Sequence, residues 1–150
     1  MSDPLKLVLF VCVGNACRSQ MAEAFARVYG QDALVAASAG IAPAMAVMPD
    51  TIRAMAEKEI DIRDQFPKSI YHMRRSKFDL VVNMTGLALP DGIGAAVEEW
   101  GVPDPVSMEY EDHCKVRDEI EKLVMNLILK LRREQQAPQF RGQGSGRLKI

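Results

Sequence analysis

Apolar positions along the chain follow two alternating rhythms. Leu5 to Val11 is a short run of branched and aromatic residues, the pattern of a strand buried on both faces. Beyond it Met21, Ala22, Phe25, Val28 and Tyr29 recur at helical spacing, and Ser19 is suited to cap the helix they predict. Ala33 to Ser38 is a second short run, ending at the turn Ser38-Ala39-Gly40. After an irregular loop from Pro43 to Pro49, Asp50 opens a helix with Ile52, Met55 and Ala56 facing inward, and Ile60-Asp61-Ile62 closes that unit. Leu80 to Met84 and Val97 to Val102 read as two further strands, separated by turn residues from Gly86 to Gly94. From Asp112, the positions Val116, Ile120, Leu123, Val124, Leu127 and Leu131 predict an amphipathic helix of about twenty residues.

Strands alternating with helices predict an α/β fold in three layers, a small four-stranded parallel sheet with helices on both faces. Right-handed crossovers then bring the loops that follow the strands to one edge of the sheet. Residues 1–134 form one domain in this reading. Residues 135–150 lose the apolar periodicity, carry Pro138, Gly142, Gly144 and Gly146, and read as a flexible C-terminal tail. The segment from Arg63 to Lys77, with Lys68, Arg74 and Arg75, reads as a solvated basic face.

Composition narrows the function classes. With 150 residues, 48% apolar and 26% charged, the chain suits a single globular domain. A net charge of −1 argues against general affinity for nucleic acid or anionic membrane. No apolar run is long enough to span a bilayer, and the start lacks a signal-peptide pattern. Three cysteines in no disulfide-scaffold spacing fit a reducing cytoplasm. The two histidines form no zinc-ligand pattern with them, so neither metal nor cofactor is expected.

The candidate chemistry lies in Cys12-Val13-Gly14-Asn15-Ala16-Cys17-Arg18-Ser19, between the first strand and the first helix. A loop there turns its backbone N–H groups into one small space, and the helix dipole adds to their preference for an anion. Gly14 can take positive φ freely, and Asn15 tolerates it better than most residues, so both suit a curled cradle. Val13, Gly14, Asn15, Ala16, Cys17 and Arg18 are therefore the expected oxyanion-binding positions. Cys12 at the mouth faces amide dipoles and a guanidinium, which favour its thiolate. Arg18 offers a planar fork for two oxygens of a tetrahedral anion.

FVCVGNACRSQMAEAF resembles the phosphate-binding loop of low-molecular-weight protein tyrosine phosphatases, and of the thioredoxin-coupled arsenate reductases built on the same fold. The resemblance continues through Ser38-Ala39-Gly40, Phe78 to Val82 and Trp100-Gly101-Val102-Pro103-Asp104-Pro105, covering Lys6 to Arg133 in order. It implies that Cys12 attacks phosphorus in line while Arg18 and the loop amides hold the equatorial oxygens. Asp104, matching the family's Asp-Pro, would protonate the leaving oxygen and then activate water on the phosphocysteine. Ser19 would donate its hydroxyl to the Cys12 sulfur. Ser38 would support the loop by bonding Asn15. Cys17 is either a trap for oxidised Cys12 or a small residue filling the helix start, and Cys114 is structural.

Two departures shape the functional expectation. Val106-Ser107-Met108-Glu109 follows Asp104-Pro105, and Ile41-Ala42-Pro43-Ala44-Met45 follows the Ser-Ala-Gly turn, so neither stretch brings an aromatic wall for a phenyl ring. The loop Met84 to Leu89 lacks the two shuttle cysteines of thioredoxin-coupled reductases. The expected function is a cysteine-dependent phosphatase acting on a phosphate monoester or phosphoprotein through a phosphocysteine. The alternative is an arsenate reductase on the same loop, with arsenate as substrate and another thiol reductant. A third reading, an oxyanion-binding domain without turnover, leaves the nucleophile unexplained.

Overall fold

The computed structural model describes residues 5–73 and 77–149, with side chains described as far as residue 136. Strands β1 (Lys6–Cys12), β2 (Leu34–Gly40), β3 (Leu80–Asn83) and β4 (Val97–Glu99) alternate with helices α1 (Arg18–Tyr29), α2 (Pro49–Ala56) and α3 (Tyr110–Lys149). Short 3₁₀ turns occupy Ile70–Met73 and Pro105–Ser107. All pairings are parallel and the spatial order is β2-β1-β3-β4. The chain leaves β1 on one side for β2 and returns on the other for β3, so the loop after β1 sits at the topological switch point.

Side-chain alternation along β1 divides the core. Val8, Phe10 and Cys12 face a large cluster with Met21 and Phe25 of α1, Met55 of α2, and Ile120, Val124 and Ile128 of α3. Leu9 and Val11 face a smaller cluster with Ile70, Phe78, Val81 and Ile93. All three α-helices therefore pack over one face, and the 3₁₀ turn Ile70–Met73 with the segments around Phe78 and Ile93 makes the third layer.

Several boundaries differ from the sequence expectation for definite reasons. Val28 lies on the exposed side of α1, and α2 buries Thr51, Ala54 and Met55 instead of Ala56. β4 stops at Glu99 because the Val102 N–H turns back to the Trp100 carbonyl, at 3.0 Å, after one more cross-strand bond from Trp100 to Asn83. α3 begins at Tyr110 and its backbone runs helically to Lys149, across the expected boundary between residues 134 and 135. Arg132 anchors it to the end of α1 through the Tyr29 carbonyl and Asp32, at 2.9–3.0 Å, and Gln135 donates to the Asp32 carbonyl. Arg74 and Arg75 of the expected basic face lie outside the described residues. Among the described residues no helix is long and apolar enough to cross a membrane.

Candidate active site

The loop after β1 curls because a second segment runs beside it. Ile41, Ala42, Ala44 and Met48 donate their N–H groups to the carbonyls of Cys12, Val13, Gly14 and Ala16, at 2.9–3.3 Å. A planar peptide points its N–H opposite its C=O, so the amides of Val13, Gly14, Asn15 and Cys17 turn to the other side, into the cradle. Among the described residues these amides have no backbone partner. Gly40 makes the close approach possible. A Cβ there would stand 2.7 Å from the Val13 carbonyl and 2.9 Å from the Asn15 nitrogen.

The left-handed residue of the curl is Asn15, at φ 50°, and Gly14 is not in that region. A Cβ on Gly14 would meet nothing nearer than 3.9 Å, so the sequence expectation for this glycine is corrected. Asn15 is fully buried and its amide orientation is dictated by its neighbours. Its Oδ1 accepts from Gln20 Nε2 at 3.1 Å and from the Lys68 backbone N–H at 2.9 Å, leaving Nδ2 to donate to Ser19 Oγ at 2.6 Å. Ser19 then has its own proton free for Cys12 Sγ, 2.8 Å away.

That arrangement replaces the expected helix cap. α1 starts at Arg18, with Cys17 in the N-cap position and no side-chain capping bond. Ser19 stands inside the first turn, where its hydroxyl serves the sulfur. Its backbone N–H also reaches Cys12 Sγ, at 3.4 Å. The hydroxyl and the backbone N–H of Ser19 thus converge on a sulfur that is 2% exposed.

Arg18 is anchored before any ligand arrives. Nη1 donates to the Met84 carbonyl at the end of β3, and to the Val102 carbonyl beyond β4 at 3.0 Å. Nη2 stands 3.6 Å from Asp104 Oδ2, while the buried Nε has no partner. Nε and Nη2 share the edge used for bidentate recognition of oxyanions. An unpartnered buried donor there fits one oxygen of a tetrahedral anion.

Asp104 holds two positions at once. Its Oδ1 accepts from the Val106 N–H at 3.1 Å and starts the turn Pro105–Ser107, while Oδ2 faces the guanidinium. The turn role and the site role are compatible because they use different oxygens.

Two expectations change. Ser38 Oγ donates to Glu23 Oε1, not to Asn15. Glu23 is a buried carboxylate that also pairs with Arg27, and it outbids a neutral amide for the hydroxyl proton. Cys17 points behind the loop, its thiol donating to Met48 Sδ at 3.1 Å, and burial pushes that thiol up to about 11. Cys114 is half-buried on α3 beside Glu57.

The supports that sequence reasoning missed are Gln20, Gly40, Met48 and Lys68. Gln20, fully buried, donates to the Asn15 carbonyl at 3.0 Å and receives Gln65 Nε2 at 2.6 Å. Gln20 directly follows the Arg-Ser pair, and Gly40 closes the Ser-Ala-Gly turn, so their positions held a signal. Lys68 acts through its backbone, for which its charge gave none.

Comparison with known proteins agrees with this geometry. Residues 7–137 match the family described as low molecular weight phosphotyrosine protein phosphatase. Arsenate reductase 1 of Bacillus cereus is 41% identical over 121 residues, 77% of this chain and 88% of that protein. The glutaredoxin arsenate reductase of Synechocystis sp. is 34% identical over 131 residues, 85% of this chain and 99% of that one. A solved structure described as an arsenate reductase in the phosphate binding state superposes with a TM-score of 0.79 at 34% identity, covering 85% of this chain and 99% of the other. The chain therefore belongs to the low-molecular-weight phosphotyrosine protein phosphatase family.

Proposed function

We propose that this protein reduces arsenate, with Cys12 as nucleophile and an external thiol as reductant. The observation that carries the reading is the buried, unpartnered Nε of Arg18, on the guanidinium edge whose Nη2 faces Asp104, at the loop that carries Cys12. Tyr110, the aromatic residue nearest after Asp104, is turned to α2: its ring lies 3.7 Å under the Arg53 guanidinium and its hydroxyl bonds Glu57. It offers no wall for a phenyl ring. The names of the relatives from Bacillus cereus and Synechocystis sp. support arsenate as the anion.

In the first step Cys12 Sγ bonds to arsenic and one As–O bond breaks, the departing oxygen leaving as water with a proton from Asp104. A thiolate then attacks Cys12 Sγ. The S–S bond forms, the S–As electron pair passes to arsenic, and arsenite leaves with arsenic reduced from the +5 to the +3 state. A further thiol reduces the resulting disulfide. The attacking thiol comes from outside because Cys17 is held on Met48 behind the loop, the loop Met84 to Leu89 after β3 carries no cysteine, and Cys114 stands on α3 beside Glu57.

Phosphate-monoester hydrolysis is the second reading, favoured by Asp104 beside Arg18, where it can protonate an ester oxygen. Arsenite formation with glutathione and a glutaredoxin, compared with p-nitrophenyl phosphate hydrolysis, separates the two. A Cys17→Ser, Cys114→Ser protein should still reduce arsenate. Loss of reduction in that protein, with ester hydrolysis intact, would sink the external-thiol route.

A further inference from the structure

Lys68 belongs by sequence to a solvated basic face, yet its side chain is folded inward. Its Nζ donates to the Phe66 carbonyl at 2.9 Å and stands 4.9 Å from the centre of the Phe66 ring. Only 22% of the side chain is exposed. The ammonium also lies 4.0 Å from Oε1 of Glu23, a carboxylate on α1 that is 2% exposed. Lysines ordinarily keep the charged head in water, and holding this one against the protein costs rotamer freedom and hydration. Burial accordingly pushes its pKa down, with Arg27 in the same direction and Glu23 in the other.

The backbone of the same segment fixes the curl of the cradle. Lys68 gives its N–H to Asn15 Oδ1 at 2.9 Å, and its carbonyl accepts from the Gly40 N–H at 2.8 Å. The Phe66 carbonyl that receives the ammonium also receives Gln20 Nε2, at 3.0 Å, and Gln20 in turn holds the Asn15 carbonyl and Oδ1. Residues 65–68 belong to no helix or strand, so these contacts set where their amides and carbonyls lie. Asn15, left-handed at φ 50°, then orders Ser19, and Ser19 meets the Cys12 sulfur.

We propose that Lys68 is a positioning residue for the oxyanion cradle. Its ammonium, held between the Glu23 carboxylate and the Phe66 carbonyl, pins residues 66–68 so that the Lys68 N–H keeps Asn15 in its left-handed turn. Glu23 is a stationary anchor, because Ser38 of β2 donates to it and Arg27 pairs with it one turn further along α1. A neutral side chain at position 68 leaves Glu23 these two partners and leaves the core intact, but releases the segment that orients Asn15. The proposal rests on the reading of the loop as a cradle for a tetrahedral anion.

Affinity for inorganic phosphate, measured by titration calorimetry on the full chain, tests it. Lys68→Met should weaken phosphate binding about five- to tenfold, and Lys68→Arg, which restores a cation beside Glu23, should recover most of that loss. In an Asn15→Gly background, where glycine takes the left-handed turn with no side chain to hold, Lys68→Met should change nothing further. Glu23→Gln still accepts from Ser38, and the sign of its effect separates positioning from plain attraction of the anion. Removing a negative charge would strengthen phosphate binding through the field alone, whereas loss of the anchor should weaken it. That variant also carries the test where Lys68→Met fails to fold. Equal losses from Lys68→Met in both backgrounds, or tighter phosphate binding by Glu23→Gln, overturn the proposal. Coupled losses in a protein that turns over neither arsenate nor ester would overturn the functional reading and leave the positioning role standing. Failure of phosphate to bind the unaltered protein would overturn both.

Discussion

Arg18 Nη2 stands 3.6 Å from Asp104 Oδ2, although the strands that precede them, β1 and β4, are separated by β3. The guanidinium spans that gap because its other nitrogen is tied to the Met84 and Val102 carbonyls, at the exits of β3 and β4. The clamp is therefore oriented by the sheet itself, before substrate binds. Preorganised donors of this kind need no rearrangement as charge develops, which is why they contribute strongly to catalysis.

Separating nucleophile from clamp gives the first prediction. Cys12→Ser should abolish turnover and retain phosphate binding, because the cradle amides and Arg18 remain. Arg18→Lys keeps the charge and loses the two-toothed edge, so turnover should fall about 10²–10³-fold, as for loss of one preorganised donor, and phosphate binding should weaken with it. Titration calorimetry with phosphate alongside arsenate turnover reads both. Full turnover in Cys12→Ser would remove the sulfur from the mechanism.

Asp104→Asn tests the acid. The amide can still cap the turn Pro105–Ser107 through its oxygen, so folding should be little changed. With aryl phosphates of graded leaving-group acidity, the loss should be small for p-nitrophenol and should grow for poorer leaving groups. A uniform loss across the series would mean that Asp104 acts on binding.

Much of the fold was legible because the apolar runs are distinct: period-free runs marked buried strands and 3.6-residue spacing marked helices. Phe10, Met21, Phe25 and Ile120 all stand where that pattern puts them. The reactive loop was legible from Cys12, Arg18 and Ser19 for the same local reason. What escaped were relationships set by tertiary contact. Ser38 bonds Glu23 because both are buried on facing elements, and no spacing announces that. Asn15, not Gly14, takes the left-handed turn, since its side chain is held by Gln20 and Lys68. β4 ends at Glu99 because of a local backbone turn that apolar content through Val102 concealed.

Gly40 should tolerate no side chain. An added methyl would sit 2.7 Å from the Val13 carbonyl, 2.9 Å from the Asn15 nitrogen and 3.0 Å from the Asn15 Cβ, all rigid parts of the cradle. Gly40→Ala should destabilise the protein by about 1–3 kcal/mol, the usual range for overpacking, and weaken phosphate binding as the loop is displaced. Gly14→Ala is the control, since the nearest atoms to its added methyl lie 3.9 Å away. Equal tolerance at both positions, by urea denaturation and calorimetry, would show that the loop moves freely.

Cys17 should be slow in redox chemistry even though it shares the loop with Cys12. Its proton is held on Met48 and burial keeps the thiol protonated at neutral pH. Iodoacetamide at neutral pH should label Cys12 first, phosphate should protect it, and Cys17 should react only in urea. Mild peroxide should therefore over-oxidise Cys12 without forming a Cys12–Cys17 disulfide, and Cys17→Ser should leave the course of inactivation unchanged. Peptide mapping that finds Cys12 crosslinked to Cys17 or Cys114 would assign that cysteine a resolving role.

The pH dependence of stability should carry the mark of His113. Burial is the largest influence on its ring and pushes its protonation down from the ordinary value of 6.5, with Arg117 acting in the same direction. Asp50, Asp104 and the Pro105 carbonyl oppose it without prevailing. The unfolded chain therefore binds a proton at His113 at a higher pH than the folded one does. Between those two values the unfolded state holds more protons, so stability rises with pH, and above about 6.5 this contribution is flat and fully present. Lowering the pH from 7 to 5 should reduce the urea midpoint, and His113→Asn should flatten that slope because its amide does not titrate. Cys17 acts at the other end: raised from 9.0 to about 11, it should make the folded state lose stability as pH climbs past 9, where the unfolded thiol ionises first. A midpoint that falls equally between pH 7 and 5 in His113→Asn would assign the acid limb to carboxylates and leave the buried imidazole without a part in it.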